Sequence, residues 1–387
     1  MKIISLKYED QSRKWCLNPI SFKKLTLLVG ASGVGKTQIL RAIFNLRNIS
    51  KGVSINGLKW EIKFSTSDEN TYIWEGAFEN RHDILLQEDD EADKDFPKII
   101  YEKLYSNESP IIDRNQDEII FKGEKTVKLP QEKSVIRLLK EEDQISDIYK
   151  SFQRILFHNH SEIGRMNFSA RDAVIKISNY QNIEDIQRSN ESLRGKLYLA
   201  SLKAQDVFDR IKCRFTDVFQ YVEDLRIRPT NERKLSFHLQ REIPLIQIKE
   251  KGVDEWIDED EISSGMSRAL SHISELYLCG AGTVILVDEF ENSLGINCID
   301  EITKALLTHK RQPQFIITSH HPCIINNINA ANWKLITRKK GVVTAREATD
   351  FNLSRSKYEA FTQLINLDQY LEGINPDDDE YTEGIEV

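Results

Sequence analysis

The sequence lacks long hydrophobic runs, and its first residues do not have the pattern of a leader segment. Its uninterrupted apolar stretches, such as Val284–Val287, are far shorter than the roughly 20 residues that a membrane-spanning helix needs. The opening MKIISLKYEDQ contains neither the apolar segment nor the small-residue cleavage site of a secretory signal. These absences predict a chain without a membrane segment that stays in the cytosol.

Paired cysteines and a surplus of positive charge are also missing. The five cysteines are odd in number, scattered and without a CxxC pair, so we expect neither a disulfide framework nor a zinc site. Lys and Arg total 53 against 61 Asp and Glu, a net charge of −8, which gives no overall attraction to nucleic acid or anionic lipid. Basic residues gather between 210 and 241, but acids interleave with them, and a mixed solvated surface is favoured over a nucleic-acid groove.

A chain of 387 residues that is 40 % hydrophobic can bury a substantial core. Its pattern predicts an α/β fold with a mixed central sheet, an antiparallel β extension at 58–130 and helices with apolar stripes at 145–155 and 204–222. We divide it into four segments, which are an N-terminal part of the main α/β domain (1–130), a helical insertion or dimerisation region (131–230), a C-terminal part of the same domain (231–350), and a final helix with an acidic tail (351–387).

The segment GASGVGKT at 30–37 fits the pattern G-x-x-x-x-G-K-[ST] and stands between a predicted strand and a predicted helix. Glycines let consecutive backbone N–H groups and the helix N-terminus face a phosphate chain. The lysine adds a positive charge near the β- and γ-phosphates, and the final hydroxyl is a ligand for Mg²⁺. We therefore predict nucleotide contacts from Gly30, Ser32, Gly33, Gly35, Lys36 and Thr37.

Two further apolar strands end in polar residues. TVILVDEFENSL at 283–294 places Asp288 where it can complete a Mg²⁺ site, and Glu289 where it can polarise water as the catalytic base. An ordinary strand followed by a charged turn is the alternative. QFIITSHHP at 314–322 places His320 to hydrogen-bond a γ-phosphate oxygen. We expect His321 to be structural, although two adjacent histidines also leave a metal pair open.

A fourth element, EISSGMSR at 261–268, precedes a predicted helix. Small residues at its start, Ser263 and Gly265 among them, form a second nest of backbone donors. One nucleotide already has its loop at 30–37, so a second nest is useful if it meets the nucleotide of another subunit. A plain helix cap is the alternative.

In this order, the motifs resemble those of ABC-type ATPase heads, in the branch shared by SMC-like DNA-repair ATPases, OLD-family proteins and antiphage ATPases. GASGVGKT resembles the Walker A motif, ISSGMSR the signature, VILVDE the Walker B motif, ENSLG the D-loop and TSHHP the switch-histidine loop. The resemblance implies a P-loop NTPase fold of the ABC-head type that uses ATP and Mg²⁺. It also implies a homodimer or higher oligomer closed through an ATP sandwich, in which Ser263 and Gly265 touch the γ-phosphate in trans. Glu289 would then be the base and His320 the switch residue.

Two features depart from that pattern. Gly295 stands where many relatives place Asp in the D-loop, and the Q-loop glutamine stays open between Gln87 and Gln131. In its compact helical insertion, its SHHP loop and its tail FNLSRSKYEAFTQLINLDQYL, the chain also resembles, more loosely, the short AAA-type ATPase subunits encoded beside an effector nuclease in Septu-like and retron-associated antiphage systems. That likeness implies an effector nuclease as partner and, in retron systems, a reverse transcriptase with its nucleic acid.

Other functions stay open from sequence alone. An SMC-like DNA-binding ATPase and an ATP-dependent scaffold with little turnover both accommodate the same motifs. A transporter subunit fits poorly, because its signature is closer to LSGGQ and its insertion is shorter. The 65 residues beyond the histidine loop, 323–387, are too few for the Toprim nuclease domain of OLD-family proteins, so we do not expect the chain to cut nucleic acid itself.

Overall fold

A computed structural model describes residues 1–66, 70–81, 96–158, 175, 177–189, 191–231, 242–292, 313–354 and 357–374. The chain divides into two compact units. The first comprises Met1–His158, Gly282–Asp288 and Gln314–Val387, and the second comprises Asn159–Ala281 and Glu289–Pro313. These units partition the chain differently from the four segments inferred from sequence, whose boundaries stay a prediction.

One large sheet organises the first unit. Its strands are β1 (Lys2–Asp10), β2 (Trp15–Ser21), β3 (Leu25–Val29), β4 (Leu58–Ser65), β5 (Thr71–Phe78), β6 (Ile99–Ser106), β7 (Ser109–Arg114), β8 (Ile119–Phe121), β9 (Glu124–Lys125), β10 (Ile155–His158), β14 (Val284–Val287), β15 (Gln314–Thr318), β16 (Trp333–Lys339) and β17 (Val342–Glu347). Among the described residues the sheet has 14 strands, in the order β10-β14-β15-β3-β16-β17-β2-β1-β4-β5-β6-β7-β8-β9.

One side of this sheet is parallel and buried. Strands β10, β14, β15, β3 and β16 pair in parallel, and every residue of β3, β14 and β15 is buried. Continuous apolar strands such as LTLLV and VILV suit this position, because helices and loops cover both faces of a parallel sheet.

The other side is antiparallel. Strands β4 to β9 form a meander, and β4 alternates buried and exposed residues along its length, as a strand with one solvated face does. The mixed sheet with an antiparallel extension, predicted from sequence, is confirmed.

Helices of the first unit pack on this sheet. Their bounds are α1 (Lys36–Ser50), α2 (Val135–Leu138), α3 (Asp143–Gln153), α8 (Pro322–Asn327), α9 (Lys357–Leu364) and α10 (Asp368–Glu372). The apolar face of α1 is fully buried, and Phe152 of α3 meets Phe64 and Trp74 edge to face, with ring centroids 5.2 and 5.0 Å apart. Across the described residues, no helix has the length and hydrophobicity to cross a membrane.

The meander is anchored by a buried ion pair. Glu102 lies 3.6 Å from Arg114, and both side chains are almost fully buried. Glu102 also accepts hydrogen bonds from Trp74 and from the backbone of Val135, at 3.0 and 2.8 Å. Burial raises the pKa of Glu102, and the Arg114 charge opposes that rise. Such a pair is costly to break, because either partner alone would be an uncompensated buried charge.

The second unit combines a small sheet with helices. Its described elements are α4 (Ile183–Arg188), α5 (Leu193–Lys203), α6 (Gln205–Val218), β11 (Val222–Asn231), β12 (Glu242–Glu250), β13 (Trp256–Asp258) and α7 (Ser264–Leu278). Helix α7 packs against α5 and α6. Basic residues predicted to lie on a mixed surface do pair with acids here, since Arg210 binds Asp206 at 3.2 Å and Lys212 binds Asp224.

Two predicted helices are shorter than their apolar stripes. The helix predicted over 145–155 ends at Gln153, and Ile155 begins β10. The helix predicted over 204–222 ends at Val218, and Val222 begins β11. In both cases the last apolar residues of the stripe instead pair with a neighbouring strand, β14 or β12. Tertiary pairing therefore overrides the helical spacing.

Candidate functional site

The carboxyl ends of three neighbouring parallel strands form one edge of the large sheet. Strand β3 leads into the loop at 30–35, β14 leads into Asp288, and β15 leads into Ser319 and His320. Ligands of open α/β sheets bind outside the carboxyl ends of the strands. The residues predicted from three separate motifs therefore lie along one edge.

The loop at 30–35 presents its backbone. Gly30, Gly33 and Gly35 have φ angles of 144°, 84° and 106°, and α1 begins immediately afterwards at Lys36. A Cβ on Gly30 would stand 2.5 Å from the Ile336 carbonyl oxygen, whereas one on Gly33 would meet nothing within 4 Å. The loop is thus packed against β16 on one side and open near Gly33, beside exposed Ser32. A helix N-terminus with such a loop is suited to an anion.

Lys36 places a positive charge at this loop. Its side chain is only 6 % exposed, and its ammonium donates to the carbonyl oxygens of Gly30 at 2.9 Å and Ala31 at 2.7 Å. A buried ammonium held by backbone carbonyls keeps its charge close to the cradle. The residues present therefore fit the phosphate chain of a nucleotide.

Asp288, directly after β14, is bonded to α1, β15 and β10. One carboxylate oxygen, Oδ1, accepts a hydrogen bond from the Thr37 hydroxyl at 3.0 Å and one from the Thr318 hydroxyl at 2.8 Å. The backbone N–H of Asp288 donates to the carbonyl oxygen of His158 at 2.9 Å, and Asp288 is 7 % exposed. A carboxylate beside a hydroxyl supplies the oxygen ligands that Mg²⁺ takes from a protein when phosphates complete its shell.

Thr318 was not among the residues predicted from sequence. Its signal was nonetheless present, because a hydroxyl ends the buried apolar strand β15 next to the strand that carries Asp288. Among the described residues, no cluster of three or more His, Cys, Asp or Glu side chains could hold a metal by itself. A cation here would depend on its other ligands, as Mg²⁺ bound to a nucleotide does.

The two adjacent histidines occupy different environments. His320 is exposed at the end of β15. His321 donates its backbone N–H to the Ser319 hydroxyl at 3.0 Å, and its ring Nδ1 accepts the Cys323 N–H at 3.2 Å. His321 thereby caps α8, which leaves His320 as the histidine presented at the sheet edge.

The second unit carries the predicted signature. Ser263 is the N-cap of α7 and accepts the Met266 N–H at 3.3 Å. Ser263 and Ser264 are exposed and Gly265 is half-buried, whereas Met266 and Ser267 are buried, so the start of the helix is accessible at Ser263 and Ser264. The helix cap that sequence left as an alternative is present, and its exposed position is compatible with a second nest as well.

Glu289 is held in a strained conformation. It has a φ of 48°, a left-handed backbone that costs a non-glycine residue roughly 1–2 kcal/mol. Its carboxylate accepts the Asn292 amide at 3.2 Å. Its carbonyl oxygen accepts the Asn292 N–H at 2.8 Å and the Arg268 guanidinium at 3.4 Å. Strain of this kind persists where surrounding contacts fix it, and it concentrates at functional sites.

Each unit therefore gathers part of the predicted site. The first holds Gly30, Ser32, Gly33, Gly35, Lys36, Thr37, Asp288 and His320, and the second holds Ser263, Gly265 and Glu289. Of the two candidate Q-loop residues, Gln131 donates to the Gln116 carbonyl at 3.0 Å in the meander. Gln87 and the D-loop residue Gly295 lie outside the described residues.

Solved structures with a similar fold are SMC head domains. An SMC head bound to the C-winged helix domain of ScpA has a TM-score of 0.50 and 14 % identity, over 89 % of this chain and 97 % of that one. The SMC head domain from Thermotoga maritima has a TM-score of 0.43 and 14 % identity, over 90 % and 99 %. The first of these likenesses shows the P-loop ATPase-head fold. No curated protein matches the chain.

A family model gives the decisive comparison. It is described as "AAA domain, putative AbiEii toxin, Type IV TA system", and it matches residues 25–326. That range covers well over half of the chain and runs from β3 into α8. The chain therefore belongs to this family of AAA domains and is an ATPase-type protein with the fold of an SMC head.

Proposed function

We propose that this chain binds ATP and Mg²⁺ at the edge formed by β3, β14 and β15, hydrolyses ATP when two copies close on each other, and through that closure controls a partner effector. One observation carries the proposal. Asp288 accepts the hydroxyls of Thr37 and Thr318 beside the phosphate loop that holds the buried Lys36. This is the arrangement that a nucleotide with its metal requires at the ends of parallel strands.

Binding is assigned to the first unit. Backbone N–H groups of the loop and of the first turn of α1 face the phosphates, and the Lys36 ammonium balances their charge. Thr37 and Asp288 would hold Mg²⁺, which when bound neutralises charge on the β- and γ-phosphate oxygens. His320 hydrogen-bonds the γ-phosphate from the end of β15.

Hydrolysis is assigned to Glu289. A carboxylate accepts a proton from the attacking water, which raises the nucleophilicity of that water. Its left-handed backbone and its Asn292 and Arg268 contacts fix where the carboxylate stands. Ser263 and Gly265 of a second copy supply donors to the γ-phosphate, so turnover depends on two copies.

The partner effector is inferred from the family and from the resemblance of the motifs. The family description names a putative toxin of a type IV toxin–antitoxin system, and a toxin–antitoxin system has two components. Together with the looser resemblance to defence ATPases, this favours an effector nuclease in bacterial antiphage defence, accompanied in retron systems by a reverse transcriptase and its nucleic acid. We expect a nuclease gene beside this one. A neighbour encoding membrane permease segments would remove the defence role and leave the ATPase assignment standing.

The base assignment is tested by Glu289→Gln. Removing the proton acceptor should lower ATP turnover by about 100-fold or more, since general bases contribute on that order, while nucleotide binding stays close to that of the parent. Turnover is measured by phosphate release at saturating ATP, and binding by calorimetry. Glu291→Gln, two residues further on, is the matched control and should keep parental turnover. Equal turnover rates in the Glu289 variant and the parent would exclude Glu289 as the base. The observed hydrolysis would then have another source, as in a scaffold with little turnover.

The metal site is tested by Thr318→Val. Valine keeps the branched shape of threonine but removes the hydroxyl that donates to Asp288. We therefore expect the Mg²⁺ concentration for half-maximal turnover to rise about tenfold, the size of effect seen when a group that orients a metal ligand is lost. Thr26→Val is the control, because Thr26 is also buried and its hydroxyl accepts the Lys23 N–H at 2.9 Å, away from Asp288. An unchanged Mg²⁺ dependence would contradict the role assigned to the Thr318 hydroxyl in orienting Asp288 as a metal ligand.

Pairing of two copies is tested at the signature. Ser263→Asp and Ser263→Asn both retain an N-cap acceptor, but only Asp adds a negative charge facing the triphosphate. With Glu289→Gln as background and ATP present, we expect Ser263→Asn to preserve the dimer and Ser263→Asp to abolish it, as measured by sedimentation.

A mixing experiment uses chains that keep Glu289. The Ser263→Asp variant mixed with the Lys36→Ala variant should regain part of the lost turnover, because the mixed pair contains one complete site. If no such recovery occurred, contact in trans would be ruled out.

A further inference from the structure

A short segment from late in the chain lies against the phosphate loop. Residues 368–374, which we call the brace, consist of α10, Gly373 and Ile374. The carbonyl oxygen of Gly373 accepts the Arg338 N–H of β16 at 2.8 Å, and its own N–H donates to the Gln369 carbonyl at 3.1 Å. The second bond closes the last turn of the brace, and the first joins the brace to β16 through the main chain.

Gly373 touches the loop directly. A Cβ at this position would stand 2.5 Å from Val34 Cγ1 and 3.1 Å from Ala31 Cβ, and the backbone has a φ of 71°. Val34 is only 5 % exposed, and a branched side chain has few alternative rotamers. An added methyl group therefore has to displace either the loop or the brace.

One of the two residues that Gly373 touches, Ala31, also holds the lysine. Ala31 offers its Cβ to Gly373 and its carbonyl oxygen to the Lys36 ammonium at 2.7 Å. The loop also meets β16, where the Ile336 carbonyl leaves no room for a side chain at Gly30. The loop therefore contacts both β16 and the brace, and a shift of Ala31 moves a carbonyl that positions Lys36.

We propose that Gly373 is a positioning residue of the nucleotide site, and that docking of the brace on Ala31 and Val34 is thermodynamically coupled to nucleotide binding. The inference rests on the proposed binding of ATP at 30–37. Coupling of this kind is reciprocal. A docked brace strengthens nucleotide binding, and bound nucleotide stabilises the docked position of the brace. Leu371 and Ile374 of the brace are 62 % and 47 % exposed. Of the two coupled segments, the brace is therefore the one that can be reached from solvent.

The test substitutes Gly373→Ala in the full chain. We expect the dissociation constant for Mg·ATP to rise about tenfold, which is the size of a typical overpacking penalty. Gly123→Ala is the matched control, since Gly123 has a similar φ of 85° but nothing within 4 Å of an added Cβ. It carries the same backbone strain and should bind Mg·ATP as the parent does.

A second-site change separates positioning from general damage. Val34→Ala removes Cγ1, the nearer of the two atoms that the new methyl group would meet, and leaves only the longer contact with Ala31 at 3.1 Å. Val34→Ala with Gly373→Ala should therefore bind Mg·ATP within about threefold of Val34→Ala alone, as expected when two sites share their main contact. If Gly373→Ala weakened binding equally in both backgrounds, strain and not contact with the loop would be responsible, and the proposal would fall.

Hydrogen exchange of the parent protein tests the coupling without any substitution. Mg·ADP should slow hydrogen exchange at Leu371 and Gly373, whose amides bond to Leu367 and Gln369, as well as in the loop itself. Protection of the loop without protection of the brace would overturn the coupling and leave the proposed function intact. A parent that binds neither Mg·ATP nor Mg·ADP would overturn the proposed function, and the inference with it.

Discussion

The site depends on one carboxylate oxygen shared by two hydroxyls. Thr37 lies in the first turn of α1, Thr318 ends β15, and Asp288 comes directly after β14, so the two hydrogen bonds to Oδ1 connect three elements that lie far apart in the chain. A largely buried carboxylate is costly unless its oxygens are satisfied, and two hydroxyl donors offset that cost. The same contacts place a candidate oxygen ligand from each of two motifs, Thr37 and Asp288, beside the loop that holds Lys36.

Asp288 and Glu289 are consecutive residues assigned to different units. The left-handed φ of Glu289 turns the chain at this point, and Phe290, buried against the His272 ring at a centroid distance of 5.4 Å, anchors the chain just beyond the turn. The candidate metal ligand therefore belongs to the sheet, whereas the candidate base belongs to the unit that carries α7. Within that unit, Arg268 of α7 reaches the carbonyl oxygen of Glu289, so the signature helix and the base share one local structure.

Sequence was sufficient for the elements whose chemistry is local. The phosphate loop, the buried strands β3, β14 and β15, and the helix that starts at Ser264 were all predicted, because glycine spacing, apolar runs and capping residues act over a few neighbours. Sequence could not place Thr318 on Asp288 or Gly373 on Val34. Each of these contacts joins residues whose proximity depends on strand order or on the return of a distant segment, and neither is encoded in a local pattern. The ends of α3 and α6 were mispredicted for the same reason.

Strand order separates β3 from its partners during synthesis. Strand β3, which carries the phosphate loop, lies between β15 and β16, and both of these strands are made much later than β3 itself. At ribosomal rates of roughly 5–20 residues per second, an interval of about 290 residues between β3 and β15 lasts on the order of tens of seconds. During that time the strand LTLLV has neither neighbour. The nascent chain therefore contains a strongly apolar strand whose two neighbouring strands have not yet been made. This is the interval in which a chaperone would protect it.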